Sequence, residues 1–173
     1  MTKSGRITLL VQLLGYMLLQ IAVAKYVVVW HTAFCFVYVG FLLSMACRQA
    51  QLTSALLMSF FIGILVDLFY DSLGVHAFAC VLLTYCRPVL LKHMLPTSTQ
   101  EIDFKPTWRS IGIRKFTVYA LVLTLIHHGA LFSWDAASNT LLWISMRKVM
   151  FSTILTGVAV SAIQGTSTLL KSR

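Results

Sequence analysis

Long apolar stretches separated by short polar segments make up most of this chain. Several of them reach the roughly 20 residues with which an α-helix crosses the hydrocarbon core of a bilayer. We predict six transmembrane helices, at residues 7–24, 30–46, 52–70, 75–93, 116–134 and 149–169, with five or seven as the less favoured counts. The start of the second helix is the least defined, because residues 26–29 are also apolar and either continue a helix or form an outer turn. The pattern predicts an all-α membrane protein, in which residues 1–173 form one helical domain.

One extended polar segment interrupts the pattern at residues 95–114. It carries Pro96 and Pro106 together with several hydroxyl and amide side chains. A segment of this composition does not bury enough apolar surface to form a core of its own. We therefore predict a cytoplasmic linker between helices four and five.

A second polar segment, residues 135–148, precedes the last predicted helix. Its first residues are typical of a helix start, apolar residues follow, and it ends in the Arg147–Lys148 pair. We interpret it as a short interfacial helix on the outer surface, anchored by Trp134 and Trp143. In the alternative, helix six starts at Leu141 and buries the basic pair against a partner, which requires two cations to be desolvated.

Composition supports an integral membrane protein. Hydrophobic residues make up 58% of the chain and charged residues 11%, with a mean hydropathy of +0.83. A soluble domain of this size could not cover its surface with so few charges. The first apolar stretch follows Lys3 and Arg6, as in a signal peptide, but it is longer than such a core and no A-x-A-like site precedes Lys25. We therefore expect a retained helix.

The net charge of +9 is explained by basic residues in the loops of a membrane protein. Lys and Arg collect in the cytoplasmic loops of membrane proteins. With the N-terminus in the cytoplasm, that side holds eleven of the 14 basic residues: Lys3, Arg6, Arg48, Arg87, Lys92, Lys105, Arg109, Arg114, Lys115, Lys171 and Arg173. The other side holds Lys25, Arg147 and Lys148. We therefore place both termini in the cytoplasm and do not expect nucleic-acid binding.

Residues with catalytic or metal-binding chemistry are few. The four cysteines lie in or beside apolar stretches without a C-x-x-C pair: Cys35, Cys47, Cys80 and Cys86. We expect each to pack as a small hydrophobic side chain, without a disulfide framework or a metal site. G-x-S-x-G, H-E-x-x-H, P-loop and Rossmann motifs are also missing from the sequence. We predict a protein that is not an enzyme and binds no cofactor.

Five residues at spacings of three or four form one stripe if the third predicted helix continues through them: Phe60, Gly63, Asp67, Asp71 and Gly74. Gly63 permits close approach of a neighbouring helix. Asp67 lies inside the membrane boundary, where an ionised carboxylate costs about 3 kcal/mol or more, so we expect it to make an internal polar contact. We assign Asp71 to the start of an outer turn that Gly74 completes.

Two histidines of the fifth predicted helix, His127 and His128, are the candidate partners of Asp67, because they fall at a comparable depth. Adjacent residues of a helix point about 100° apart, so only one of them can face the carboxylate. A His–carboxylate pair in low dielectric favours a structural contact. A proton relay would need a ladder of ionisable groups, and the sequence shows none between Asp67 and Arg87.

Arg87 and Pro88 lie toward the inner end of the fourth predicted helix. Pro88 removes one backbone hydrogen bond and bends or ends a helix. A bend there would let the long side chain of Arg87 reach the headgroup region. We therefore interpret Arg87 as a topology anchor at the membrane surface.

The chain carries the motifs Phe60-x-x-Gly63-Ile64-x-x-Asp67, Gly74-x-His76-Ala77 and Arg87–Pro88. Together they resemble the MreD family of bacterial rod shape-determining membrane proteins. In that family a Phe-Gly-Leu-Asp pattern closes one helix and a glycine-containing turn opens the next, and Ile64 replaces the commoner leucine. The chain length, the helix count, Gln20 in the first helix and the linker before His127–His128 also fit.

The resemblance implies a multi-pass protein of the bacterial inner (cytoplasmic) membrane without an active site. It implies a non-enzymatic component of the cell-elongation complex, which directs lateral peptidoglycan synthesis. The expected partners are the periplasmic scaffold MreC and, beside it, the synthases RodA and a penicillin-binding protein. Asp67 and Gly74 would shape the hairpin of helices three and four, and no small-molecule substrate is expected.

The predicted six-helix bundle is also similar to the substrate-binding subunits of energy-coupling-factor vitamin transporters. Under this alternative hypothesis, a pocket in the outer half of the membrane binds a small molecule, and the chain associates with an ATPase-driven module. The candidate pocket residues are Asp67, His76, His127, Trp134 and Asp135. A channel or proton-coupled transporter would need ionisable groups at several depths, and their scarcity argues against that class.

Overall fold

The structure is a computed structural model that describes residues 3–45, 51–96, 104–133 and 142–170. Its long helices are α1 (Lys3–Ala22), α3 (Leu52–Tyr70), α4 (Val75–Met94), α6 (Ile113–Ser133) and α7 (Leu142–Leu170). Between α1 and α3 lie a 3₁₀ turn (Ala24–Tyr26), two short strands, β1 (Val28–Val29) and β2 (Ala33–Phe34), and the six-residue helix α2 (Val39–Ser44). A single-turn helix, α5 (Trp108–Ile111), precedes α6.

Five helices in the described ranges are long and apolar enough to cross a membrane. These candidate spans are Ile7–Tyr26, Leu52–Tyr70, Val75–Met94, Ile113–Ser133 and Trp143–Thr166. Along the bundle α3 packs against α4, α4 against α6, and α6 against α7. The chain is therefore a multi-pass, mostly helical membrane protein.

The predicted second transmembrane helix, residues 30–46, is not formed. β1 and β2 pair antiparallel in a two-stranded hairpin, and only α2 is helical in the remainder. Residues 33–45 are all buried or half-buried, and Val39, Leu42 and Leu43 are 0% exposed, so this part of the run is surrounded by protein and not by lipid. We call residues 27–45 the inner segment, and the end of the bundle that holds its strands and the α3–α4 turn the hairpin end.

Helix α7 supplies hydrogen bonds to the part of the inner segment that is not helical. The Phe34 N–H donates to Ser152 Oγ at 2.9 Å, and the Phe36 N–H donates to Thr156 Oγ1 at 3.0 Å. Ser152 and Thr156 are both 0% exposed. Since backbone groups at membrane depth find no water, non-helical chain is tolerated there only with such partners.

Helix α1 supplies a second set of hydrogen bonds to the inner segment through Gln20, which is 0% exposed. Its Nε2 donates to the Cys35 carbonyl at 3.2 Å and to the Tyr70 hydroxyl at 2.7 Å. Its Oε1 accepts from the Tyr38 N–H at 3.3 Å. One side-chain amide therefore joins α1, the inner segment and the end of α3.

The segment predicted as an interfacial helix, residues 135–148, is described only from residue 142. From there it forms the first turns of α7, which runs on without a break through Arg147 and Lys148. This helix start agrees with the alternative interpretation. Arg147, however, is exposed and is not buried against a partner, and the Lys148 ammonium lies 5.8 Å from the centre of the Phe132 ring.

The predicted linker, residues 95–114, contains α5 in its described part. Thr107 caps this turn by accepting from the Ser110 N–H. Trp108 then packs on Gly165 of α7, where an added Cβ would lie 2.9 Å from the indole ring. The end of the linker is therefore held against the bundle.

Helices α3 and α4 approach most closely at Gly63. A Cβ built on Gly63 would lie 2.3 Å from Ala77 Cα and 2.6 Å from Ala77 N. Both are backbone atoms, so no side-chain rotation can relieve the overlap. The sequence-based expectation that Gly63 permits close helix approach agrees with this contact.

We expect Gly63→Ala to destabilise the protein by about 1–3 kcal/mol, because α3 and α4 would be forced apart. Gly129→Ala is the matched control, since it adds a methyl in α6 where nothing lies within 4 Å. The control should be neutral or stabilising, since alanine favours helix by about 1 kcal/mol over glycine. Thermal unfolding of both variants in detergent measures the difference, and equal midpoints would contradict the packing argument.

Candidate functional site

Asp67 closes the turn between α3 and α4 by capping the second helix. Its Oδ1 accepts from the His76 N–H at 3.0 Å and the Ser72 hydroxyl at 2.6 Å, and its Oδ2 accepts from the Ala77 N–H at 3.0 Å. Gly74, at the N-cap position of α4, has no side chain to do this. The carboxylate therefore lies at the positive end of the α4 dipole, where negative charge is stabilised.

The predicted pairing of Asp67 with His127 or His128 is wrong. Both carboxylate oxygens are occupied by the Ser72 hydroxyl and the first turn of α4, although Asp67 is only 6% exposed. The backbone N–H groups of His76 and Ala77, just across the α3–α4 turn, are better placed to donate to this carboxylate than an imidazole on α6. The expected internal polar contact is thus made within the hairpin itself.

Two residues with positive φ form the turn between α3 and α4. Asp71 has φ 52° and ψ 36°, and Gly74 has φ 83°. The Asp71 and Ser72 N–H groups both donate to the Asp67 carbonyl, which ends α3. This geometry agrees with the interpretation of Asp71 and Gly74 as turn residues.

The stripe predicted along α3 is only partly an internal face. Gly63 and Asp67 are buried, whereas Phe60 is 44% exposed and Asp71 is exposed in the turn. Phe60 contacts the neighbouring Phe61 ring at 5.7 Å. The helix ends before Asp71, so the helical spacing that placed this residue on the stripe no longer applies.

Arg87 lies inside the bundle and is only 2% exposed, so its interpretation as a surface anchor is wrong. Its Nη2 donates to the carbonyls of Leu43, at 3.2 Å, and Met45, at 2.6 Å. Its Nε donates to the Tyr119 hydroxyl at 2.9 Å, which in turn donates to the Leu43 carbonyl at 3.0 Å. The guanidinium therefore satisfies the free carbonyls at the negative end of α2.

Pro88 does not end α4, which continues to Met94 with the proline inside it. Proline has no N–H and removes one bond from the helix ladder. Arg87 therefore does not reach the headgroups through a helix break, and its side chain turns inward to the inner segment.

Tyr38, at the start of α2, links two of the histidines. Its hydroxyl lies 2.9 Å from His76 Nδ1 and 2.8 Å from His127 Nε2. A tyrosine hydroxyl has one proton, so it donates to one ring and accepts from the other. His76 and His127 thus belong to a hydrogen-bonded chain that crosses the inner segment.

The unpartnered atoms of the histidines fix the direction of this chain. His127 Nδ1 is buried and has no hydrogen-bond partner among the described residues. A buried N–H is rarely left unpaired, so in a neutral ring Nδ1 carries the lone pair and Nε2 carries the proton. His127 then donates to Tyr38, Tyr38 donates to His76 Nδ1, and the remaining proton of His76 is on Nε2.

His128 makes a separate contact with α7. Its Nδ1 lies 3.2 Å from Thr153 Oγ1, whose own proton goes to the Val149 carbonyl at 2.7 Å. The ring is therefore the donor. Its Nε2 is buried, and no group in the described part of the chain bonds to it.

The hairpin end holds a cavity of about 380 Å³. It is lined by aromatic and aliphatic side chains, His76 and the α3–α4 turn: Phe34, Phe36, Tyr70, Asp71, Ser72, Leu73, Val75, His76, Leu131 and Phe132. Of the pocket residues proposed from the sequence, only His76 lines it. Asp67 and His127 do not, while Trp134 and Asp135 lie outside the described residues.

Sequence reasoning missed the polar side chains that hold the inner segment: Tyr38, Tyr119, Ser152 and Thr156. Gln20 entered only through the family resemblance. All five side chains are fully buried. The available signal was the presence of polar residues at helical spacing within otherwise apolar stretches, as in Ser152 and Thr156 on α7.

Comparison with known proteins gave no match to any protein-family model, to any curated protein or to any solved structure. The function is therefore inferred from the motifs of the chain and from the contacts that these residues make in the structure.

We expect Asp67→Asn to destabilise the protein by about 1.5–3 kcal/mol, because the amide loses one acceptor and the charge at the α4 N-terminus. Asp71→Asn is the matched control, since asparagine also tolerates a positive φ and the residue is exposed. The control should unfold within about 0.5 kcal/mol of the wild type. Chemical unfolding in detergent compares the two, and an equal loss in both would contradict the capping role.

We expect Arg87→Lys to loosen α2, because an ammonium cannot contact two carbonyls and the Tyr119 hydroxyl with the geometry of a guanidinium. Hydrogen–deuterium exchange measures this as faster exchange in residues 39–45. Arg114→Lys, an exposed position at the start of α6, is the control and should leave the exchange unchanged. Unchanged exchange in Arg87→Lys would show that the guanidinium contacts do not hold α2 in place.

Proposed function

We propose that this chain is a non-enzymatic membrane component of the bacterial cell-elongation complex, resembling MreD. Its role would be to bind the periplasmic scaffold MreC in the inner membrane, beside RodA and a penicillin-binding protein. The observation that carries the proposal is the motif from Phe60 to Pro88, whose polar and glycine positions organise the bundle. Asp67 caps α4, Gly63 sets the α3–α4 contact, and Arg87 holds α2.

The roles of the charged motif residues support a binding protein over an enzyme. Asp67 and Arg87 are both occupied by internal hydrogen bonds at helix ends. Buried charges used in this way stabilise a shape and are not exposed to a substrate. A small bundle with a fixed shape acts on its neighbours through lateral helix faces and loops.

The hairpin end offers the surface for a periplasmic partner. Under the predicted topology it faces the periplasm, at the opposite end of α4 and α6 from the basic residues Lys92, Arg114 and Lys115. Trp30, Tyr26 and Leu73 are 79%, 77% and 100% exposed there. Exposed aromatic side chains at a membrane surface anchor a protein in the interface and supply contact area for a partner.

Affinity purification of the tagged full-length chain from its native membranes in mild detergent tests the proposal. We expect mass spectrometry to recover a periplasmic coiled-coil scaffold and cell-wall synthases. A tagged, unrelated multi-pass protein at matched expression is the control for non-specific recovery. Recovery of ATPases and a coupling membrane subunit instead would overturn the proposal in favour of the vitamin-transport hypothesis.

A double variant locates the contact surface. Leu73→Asp with Trp30→Ser removes exposed apolar side chains at the hairpin end, and the control pair, Leu125→Ser with Val118→Ser, removes exposed apolar side chains from a lateral face of α6. We expect the first pair to reduce scaffold recovery at least five-fold at equal protein level and the second to leave it unchanged. Equal recovery in both would place the contact away from the hairpin end.

A further inference from the structure

We propose that the cavity at the hairpin end binds a small apolar molecule that carries a carbonyl oxygen, with His76 Nε2–H as the hydrogen-bond donor. The proposal goes beyond the scaffold function and rests on the cavity and on the hydrogen bonds that orient His76. Either outcome of the co-purification experiment leaves it intact.

The size and lining of the cavity suit a small molecule. Its volume of about 380 Å³ lies within the range of roughly 300–1,000 Å³ typical of ligand pockets. The Phe34 ring lies 5.7 Å from that of Phe132, and the Phe36 ring lies 5.8 Å from that of Tyr70. Four aromatic rings thus form its walls, which favours an apolar and preferably aromatic ligand.

His76 is the buried polar side chain of the cavity lining, beside the exposed Asp71 and the half-buried Ser72. It is 4% exposed, lines the cavity and bonds through Nδ1 to Tyr38, while its Nε2 makes no hydrogen bond to a described residue. Its ring packs at 5.3 Å from Phe36 and 5.1 Å from Tyr70, which fixes its orientation. A ring nitrogen that opens into a cavity in this way is complemented by a ligand or a water molecule that completes its hydrogen bonds.

The hydrogen bonds among His127, Tyr38 and His76 determine whether His76 Nε2 is a donor or an acceptor. Because His127 donates to Tyr38 and Tyr38 donates to His76 Nδ1, the proton of a neutral His76 ring is on Nε2. The cavity therefore presents a donor of fixed direction, and its complement is an acceptor such as a carbonyl oxygen. Asp67 does not compete for this proton, because its oxygens are occupied by Ser72 and by the backbone of α4.

Acetophenone and ethylbenzene form a matched pair of probes, since they share shape and aromatic ring and differ in the carbonyl. Their binding to the full-length protein in lipid nanodiscs is measured by saturation-transfer NMR and corrected with empty nanodiscs. We expect acetophenone to bind about five-fold more tightly than ethylbenzene, the effect of one hydrogen bond. Uptake equal to that of empty nanodiscs, or equal affinity for both probes, would overturn the proposal.

Two variants keep the test specific to the cavity. Val75→Phe places a ring among the cavity residues and should abolish binding of both probes, while Val118→Phe on the exposed face of α6 should leave binding unchanged. Acetophenone binding that persists in Val75→Phe would refute the cavity as the site.

The donor itself is observed directly in protein labelled with ¹⁵N-histidine. The Nε2–H resonance of His76, assigned by its loss in His76→Phe, should shift with acetophenone and not with ethylbenzene. If His76→Phe fails to fold, the probe selectivity of the wild type and of Val75→Phe still decides the question.

Discussion

Buried backbone without helical structure needs hydrogen-bond partners, and the organisation of this bundle follows from that constraint. The inner segment passes between the long helices as a strand pair, an extended stretch and one short helix. From residue 33 to residue 45 the inner segment is enclosed by the bundle, so its N–H and C=O groups there cannot turn to water or lipid. Side chains of α1, α4, α6 and α7 meet them, so these helices are fixed to one another by the segment that they enclose.

Asp67 and Arg87, the buried acidic and basic residues of the described chain, satisfy free backbone groups at opposite ends of helices. Asp67 meets free N–H groups where α4 begins, and Arg87 meets free carbonyls where α2 ends. Each charge has the sign that the helix dipole favours, so neither needs a charged partner across the membrane. Burial of a charge here is compatible with stability because the compensating groups belong to the fold itself.

Much of the helical framework was predictable from sequence, because it depends on local properties. The predicted spans 52–70 and 75–93 agree closely with α3 (Leu52–Tyr70) and α4 (Val75–Met94), since apolar length and turn chemistry set them. The inner segment was not predictable in this way. An apolar run of 17 residues has the same sequence pattern whether lipid or protein surrounds it. Only the polar residues on other helices distinguish a lipid-exposed helix from a segment enclosed by protein. The internal contact of Asp67 was foreseen but its partners were not, because backbone N–H groups carry no signature in the sequence.

The contacts of the inner segment with α7 impose an order on biogenesis. Phe34 and Phe36 bond to hydroxyls that lie 118 and 120 positions later in the chain. During synthesis those backbone groups leave the ribosome long before their partners exist. The inner segment must therefore remain in water, at the headgroups or beside the insertion machinery at first. It can enter the bundle only after α7 has been made. Truncation of α7 would consequently leave the inner segment without two of its hydrogen-bond partners.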